Sequence, residues 1–237
     1  MSTEMPPSRP ESGAAGKLQI LATEHWSLLA TRSLTYTESL NRVTIFLAIL
    51  SGAMIALALV AQVDRFGPAF ISIAIPLLSI VLFAGIATIA RLMALNRDDY
   101  RWVIGMNRLR NAYLELHPEL EPHFVTSQYD DLPGALQTLG VNVPAGRRGI
   151  GVAARRRLGS VFHLPQTLPG MLAVIVAAVA GAIGALAALA IGIPSPGIGL
   201  AAAAAFVVAA ALMGIWGRRS FTRFDPNLEP RFPSPRS

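Results

Sequence analysis

Three stretches of this chain contain no Asp, Glu, Lys or Arg: Val43 to Val63, Phe66 to Ala90, and Leu158 to Gly217. A helix needs about 20 apolar residues to cross a hydrocarbon layer about 30 Å thick. That length is available four times in these stretches, and their apolar residues are clustered rather than periodic. The chain is 53% hydrophobic and 14% charged, against about 25% charged in ordinary soluble domains. These features predict an integral membrane protein.

The spans are predicted at 43–63, 69–90, 169–191 and 198–217. A short turn, DRFGP, joins the first two, and GIPSPG joins the last two. Pro76 falls inside the second span, where neighbouring helices can accommodate a kink. Arg65 is the one Lys or Arg in either short connection. Positively charged flanks stay on the cytoplasmic side. Both termini and the long middle connection are therefore expected inside.

The amino-terminal residues 1–17, MSTEMPPSRPESGAAGK, are polar and rich in Pro, Ser and Gly. They lack the apolar core of a cleavable signal peptide and read as a disordered tail. The chain has no cysteine, so disulfides and thiolate metal sites are ruled out.

Residues 18–117 read as one unit: an amphipathic helix, the first two spans, and a helix over 91–117. In the last of these, Leu92, Leu95, Asp99, Trp102, Met106, Leu109, Tyr113 and Leu116 recur in steps of three and four. Val103 widens that face, while Arg97, Arg101, Arg108 and Glu115 lie opposite. The pattern is a coiled-coil seam with one polar member, Asp99. Before the first span, Ala22, Trp26, Leu29, Ser33, Tyr36, Leu40 and Val43 form a second stripe, with Glu24, Glu38 and Arg42 set off it. The short turn at Asp64 to Pro68 makes the two spans antiparallel neighbours. The fold expected is all-α: a polytopic membrane protein with four transmembrane helices, the first two extended into a cytoplasmic helical hairpin. At about 1.5 Å per residue that hairpin would be about 70 to 80 Å long. Its seams pair within one chain, or also build a homo-oligomer with Asp99 fixing register.

Residues 118–168 form a cytoplasmic linker. The helix must end before Pro118. His117, Glu119, Glu121 and His123 then alternate, so an extended backbone would put all four on one side. Imidazoles and carboxylates are competent metal ligands, but this spacing matches no metal signature, and the two prolines favour a polyproline-like path; a polar elbow is expected and no metal is assigned. Next, Asp130 or Asp131 would cap a brief helix containing Pro133 near its start. Arg147, Arg148, Arg155, Arg156 and Arg157 follow, close to the third span. A basic juxtamembrane segment of this kind predicts contact with anionic headgroups. No reading fold or stacking aromatic accompanies it, so a nucleic acid is not expected. Residues 218–237 form a cytoplasmic carboxyl-terminal tail.

No span interior contains an ionisable residue, which argues against a pump or an ion-coupled transporter. Thr44 and Ser51 share a face of span one, as do Ser72 and Ser79 of span two. Interhelical hydrogen bonds and a hydroxyl-lined pore in an oligomer are the two readings of these pairs. Ala173, Ala177, Gly181 and Ala185 recur every four residues, which predicts close packing of spans three and four.

Phosphate-cradling, zinc-protease, nucleophile-elbow and kinase motifs are all missing from the sequence. Neither an enzyme nor a cofactor is expected. At LATEHWSLLATRSLTYTESLNRV, DDYRWVIGMNRLRNAYLELHPELEPHFVTSQYDD and LPGMLAVIVAAVAG the chain resembles a group of uncharacterised four-span bacterial, actinobacterial-type, integral membrane proteins. The resemblance implies a plasma-membrane location and brings no functional residues. The layout of flanking helix, two spans and trailing helix is also similar to the SLATT-type membrane effectors, though the second pair of spans departs from it. The function expected is that of a non-enzymatic, oligomeric membrane protein whose cytoplasmic helices serve assembly or contact with a cytoplasmic protein partner. The alternative is a pore gated by its cytoplasmic segment.

Overall fold

A computed structural model of the chain describes residues 10–140, 167–222 and 229–235, and every regular element among them is helical. In order these are α1 (Pro10–Asp64), α2 (Pro68–Leu116), a 3-10 helix (Pro118–His123), α3 (Leu132–Thr138), α4 (Leu168–Ala190) and α5 (Ser195–Thr222). Helices α1, α2, α4 and α5 are each long and apolar enough to cross a membrane. The protein is a multi-pass, all-α membrane protein. Its first helix begins at Pro10, within the segment expected to be a disordered tail. Proline suits the first helical position, and Ala14 and Ala15 favour continuation.

The described residues fall into two compact units. The span unit comprises those of Thr37–Asn96 and Arg147–Phe224. Its core brings together Phe46 of α1, Val81, Ile89 and Leu92 of α2, and Leu172 and Val176 of α4, all at most 1% exposed. Gly85 sets the spacing between α1, α2 and α4. A Cβ there would lie 2.5 Å from Val176 Cγ2 and 3.0 Å from Phe46 Cε2. Helices α4 and α5 approach just as closely. A Cβ on Gly181 would sit 3.1 Å from the Ala202 carbonyl oxygen, and one on Gly184 would sit 2.7 Å from Ala205 Cβ. Lipid supplies no hydrophobic drive between helices, so this close contact of small residues provides the cohesion.

Both short turns are defined by local chemistry. Asp64 ends α1 and its Oδ2 accepts the Phe70 N–H at 2.7 Å, capping the first turn of α2. Arg65 and Phe66 take positive φ, 45° and 65°, and a Cβ on the next residue, Gly67, would clash at 2.9 Å with the Asp64 carbonyl. After α4, Gly192 (φ 76°) donates to the Leu189 carbonyl and Ile193 to that of Ala188, which is a Schellman closure.

The hydroxyl pairs do not bridge helices. Thr44 Oγ1 donates to the Leu40 carbonyl, Ser72 Oγ to Ala69 and Ser79 Oγ to Ile75, each within its own helix. These three and Ser51 are exposed on the outside of the unit. Residue i−4 and i−3 carbonyls are simply the nearest acceptors for a helical hydroxyl. Toward the end of the apolar stretches, Glu38 of α1 joins α2 through a paired contact with Arg91, at 3.0 and 3.1 Å, and also meets Arg42 at 2.8 Å.

The polar unit comprises the described residues of Met1–Tyr36, Arg97–Gly146 and Asp225–Ser237. Here α1 packs on α2 in a different register from the one expected. Leu21, His25, Leu28, Arg32 and Thr35 face inward, whereas the expected stripe, Ala22, Trp26, Leu29, Ser33 and Tyr36, lies one residue later and is exposed. Leu40 is likewise 40% exposed, whereas Val43, the last member of the expected stripe, is buried in the span unit. One residue is about 100° of helix rotation, enough to exchange the faces. The register is chosen by two contacts. Leu28 fits against Gly105, where a Cβ would lie 3.0 Å from Leu28 Cδ1, and Arg32 meets Asp99. His25 stacks on Tyr113 with ring centroids 6.0 Å apart.

On α2 the expected seam is buried at Leu92 and Leu95 in the span unit and at Met106 in the polar unit. Asp99, Trp102, Leu109, Tyr113 and Leu116 are half-buried. Val103, Ile104 and Asn107 are more deeply buried than those five. Arg97, Arg101 and Glu115 point outward as expected, but Arg108 does not, because it has a buried partner.

The close approach at Gly85 yields a contrast. Gly85→Ala should lower the thermal unfolding midpoint in detergent, at a cost of about 1–3 kcal/mol from overpacking. Gly52 has open space around it, and Gly52→Ala should leave the midpoint unchanged or raise it.

Candidate functional site

The polar unit contains one carboxylate with no exposed surface, Asp130. It stands in the loop between the 3-10 helix and α3, and that loop is fixed from three directions. Asp131 caps α3, its Oδ1 accepting the Gly134 N–H at 2.9 Å, so the expected cap falls on the second aspartate. Gly134 lies so near the Tyr129 carbonyl that a Cβ would collide with it. From α2, fully buried Asn107 donates Nδ2 to the Tyr129 carbonyl at 2.7 Å. Its Oδ1 accepts from Arg110 Nη1 and from Thr138 Oγ1 of α3. The Ser127 hydroxyl accepts the Tyr129 N–H at 3.1 Å.

Into this frame comes the carboxyl-terminal segment Glu229-Pro230-Arg231-Phe232-Pro233-Ser234. Arg108 Nη2 donates to the Glu229 carbonyl at 2.9 Å. Asp130 accepts the Arg231 N–H on Oδ2 at 2.9 Å and the Phe232 N–H on Oδ1 at 2.8 Å, and Arg108 Nε donates to Oδ2 at 2.7 Å. The Asp130 N–H returns a bond to the Phe232 carbonyl at 3.2 Å. Asp131 Oδ2 takes both the N–H and the hydroxyl of Ser234. Burial by itself pushes the Asp130 carboxyl up, but the Arg231 N–H, the Arg108 side chain and the Phe232 N–H outweigh it and hold the group below its ordinary value. Asp131 is lowered likewise: burial opposes, while the Ser234 hydroxyl, the Gly134 N–H and the Ser234 N–H prevail. Ionised oxygens receiving N–H donors make charge-assisted bonds, about twice as strong as neutral ones. The chemistry on offer is recognition of a bent backbone whose successive N–H groups, on Arg231 and Phe232, converge on one carboxylate.

The second polar focus is Asp99. Arg32 Nε approaches its Oδ1 at 2.6 Å and Nη2 its Oδ2 at 3.3 Å. The lone polar member of the seam thus has an intramolecular partner on α1, one that the stripe expected for α1 did not include.

The elbow is not the extended path expected from its prolines. Pro118–His123 is a 3-10 helix that starts with Pro118, a position where proline needs no N–H partner. It brings His117 Nδ1 to 2.9 Å from Glu119 Oε1, while Glu121 meets Gln128 at 3.5 Å. Its exposed Glu119 carboxyl is lowered by its own backbone N–H and by His117. Among the described residues no three of His, Asp, Glu or Cys come together as a metal site. Arg147, Arg148, Arg155, Arg156 and Arg157 lie outside the described residues. The sequence reading missed Asn107, Arg108 and the tail segment. The one available hint was Phe232, an aromatic residue set among prolines near the chain end.

No family model, curated protein or solved structure matches the chain.

Two measurements follow from these contacts. Both aspartates bind protons less readily with the segment docked than with it released, so acid favours release. The docked state is fully supported well above the ordinary aspartate value of 3.8 and loses support as pH falls below it. With no cysteine in the chain, a spin label on Pro235→Cys reports this directly: its spectrum should turn from immobile to mobile below that pH, with helical circular dichroism still present. For Arg32 and Asp99, about one-third exposed, a double-mutant cycle to alanine should give a coupling of about 1 kcal/mol, the upper end for partly exposed pairs.

Proposed function

We propose that this chain is a non-enzymatic, multi-pass protein of a bacterial plasma membrane, with both termini in the cytoplasm, and that its polar unit mediates self-assembly. The observation that supports this reading is the outward stripe on α1. Trp26 is 71% exposed, Tyr36 62% and Leu29 42%, at the three- and four-residue steps of a helix-pairing seam. The seam between α1 and α2 within the chain uses other residues, and Asp99 is already matched by Arg32. Contiguous exposed aromatic and aliphatic residues mark interaction surfaces. A second copy presenting the same stripe would bury both through a two-fold contact. The arginines from Arg147 to Arg157 would add attraction to anionic headgroups.

A pore is the second reading, favoured by one observation: Thr44, Ser51, Ser72 and Ser79 all face outward, where only an assembly of several copies could bring them around a common path.

Mass determination in detergent tests assembly. The wild type is expected as a multimer, and Trp26→Glu with Tyr36→Glu as a smaller species of unchanged helix content. A strictly monomeric wild type would sink the proposal. Conductance across reconstituted bilayers is the measurement for the pore, with silence across voltage and pH counting against it.

A further inference from the structure

We propose that the Asp130–Asp131 clamp is a peptide-binding site for a segment of the pattern Arg-Phe-Pro-Ser that bends at its Arg-Phe pair, occupied in this structure by the chain's own carboxyl-terminal segment as a displaceable ligand. The inference goes beyond self-assembly and does not depend on it.

The donors of the segment match the acceptors of the clamp. In the segment, Pro230, Pro233 and Pro235 have no N–H. The N–H groups that remain between them, on Arg231, Phe232 and Ser234, all end on an aspartate oxygen. Proline therefore stands where no acceptor is offered, and an N–H stands where one is. At Phe232 the pairing runs in both directions, since its carbonyl accepts the Asp130 N–H. The clamp recognises a backbone pattern, with the Ser234 hydroxyl as the one side chain that donates to it.

The clamp is built without the segment. The Asp131 cap on α3, the Asn107 bonds to Tyr129 and Thr138, the Arg108 bond to Asp130 and the close fit of Gly134 all lie within α2, the loop and α3. If the segment leaves, Asp130 Oδ1 and Asp131 Oδ2 lose every hydrogen-bond donor named above. Asp130 has no exposed surface with the segment docked, and water would have to replace the donors that leave. A frame that presents two carboxylates in this way favours an incoming donor segment.

Chain entropy also favours docking. Prolines fix φ at three positions, so the free segment has less conformational freedom to lose on docking. Because it belongs to the same chain, its local concentration at the clamp exceeds that of a free peptide in dilute solution. The same segment offered in trans must therefore compete with it.

The test uses the peptide EPRFPSPRS, labelled with fluorescein, and the full chain or the chain ending at Leu228, both in detergent. Anisotropy should show binding to the shortened chain and binding weaker by about tenfold or more to the full chain, where the tethered copy competes. Methylation of the peptide's backbone nitrogens at Arg231 and Phe232 keeps the side chains, removes the donors and should abolish binding. A shortened chain of unchanged helix content that does not bind would overturn the proposal. So would equal binding to both chains, or undiminished binding of the methylated peptide. If the shortened chain loses its helix content, the full-length Pro235→Cys spin label decides: millimolar peptide must mobilise it, and an immobile label at every peptide concentration refutes the proposal.

Discussion

A carboxylate removed from water must be surrounded by donors, and Asp130 organises the polar unit through that requirement. With no exposed surface, it needs partners that one helix or one loop cannot supply. Arg108 reaches it from α2, and two consecutive N–H groups reach it from the far end of the chain. Its neighbour Asp131 spends one oxygen on capping α3 and the other on Ser234. Two adjacent residues thus tie together a helix, a helix start and a terminal segment. Breaking a buried ionic arrangement of this kind by removing one partner costs far more than the net value of the intact pair. The arrangement therefore acts as a set.

The two units are held by opposite means. In the span unit, cohesion comes from side chains too small to keep backbones apart, as at Gly85, Gly181 and Gly184. The hydroxyls of Thr44, Ser72, Ser79 and Thr88 return to carbonyls of their own helices. In the polar unit, a small apolar cluster surrounds Val103, Ile104, Met106 and Ala135, and direction comes from hydrogen bonds between groups distant in sequence. This difference follows from the solvent expected for each part. Lipid makes polar directionality costly, whereas water makes it the cheaper way to select one arrangement.

Those same means decide what could be read in the sequence. The spans were legible because a charge-free length is a local property, and the turn DRFGP was legible because Asp64, Gly67 and Pro68 each act within a few residues. The register of α1 was not. Two stripes one residue apart are both helical in period, and the more apolar one, containing Trp26, Leu29 and Tyr36, is the one left outside. Hydropathy favours that stripe; the structure takes the other because Arg32 finds Asp99, 67 positions away, and Leu28 finds the gap at Gly105. The elbow misled for a related reason: alternating His and Glu suggests an extended strand, but Pro118 fits equally well as a helical start. The clamp was least legible of all. Its bonds join residues 101 to 103 apart, and a pair of aspartates before a short helix is fully explained by capping alone.

Capping alone does not explain why aspartate, and not asparagine, suits both positions. An N-cap needs one acceptor, which either residue supplies. Asp130 needs two acceptor oxygens in one plane for two successive N–H groups, and an amide would turn an NH2 donor toward one of them. Asp131 must serve α3 with one oxygen and Ser234 with the other, a division that an amide again cannot make. The prolines complete this logic from the opposite side. By removing N–H groups at positions 230, 233 and 235, they leave the segment with as many donors as the clamp has places for, and none that burial would strand.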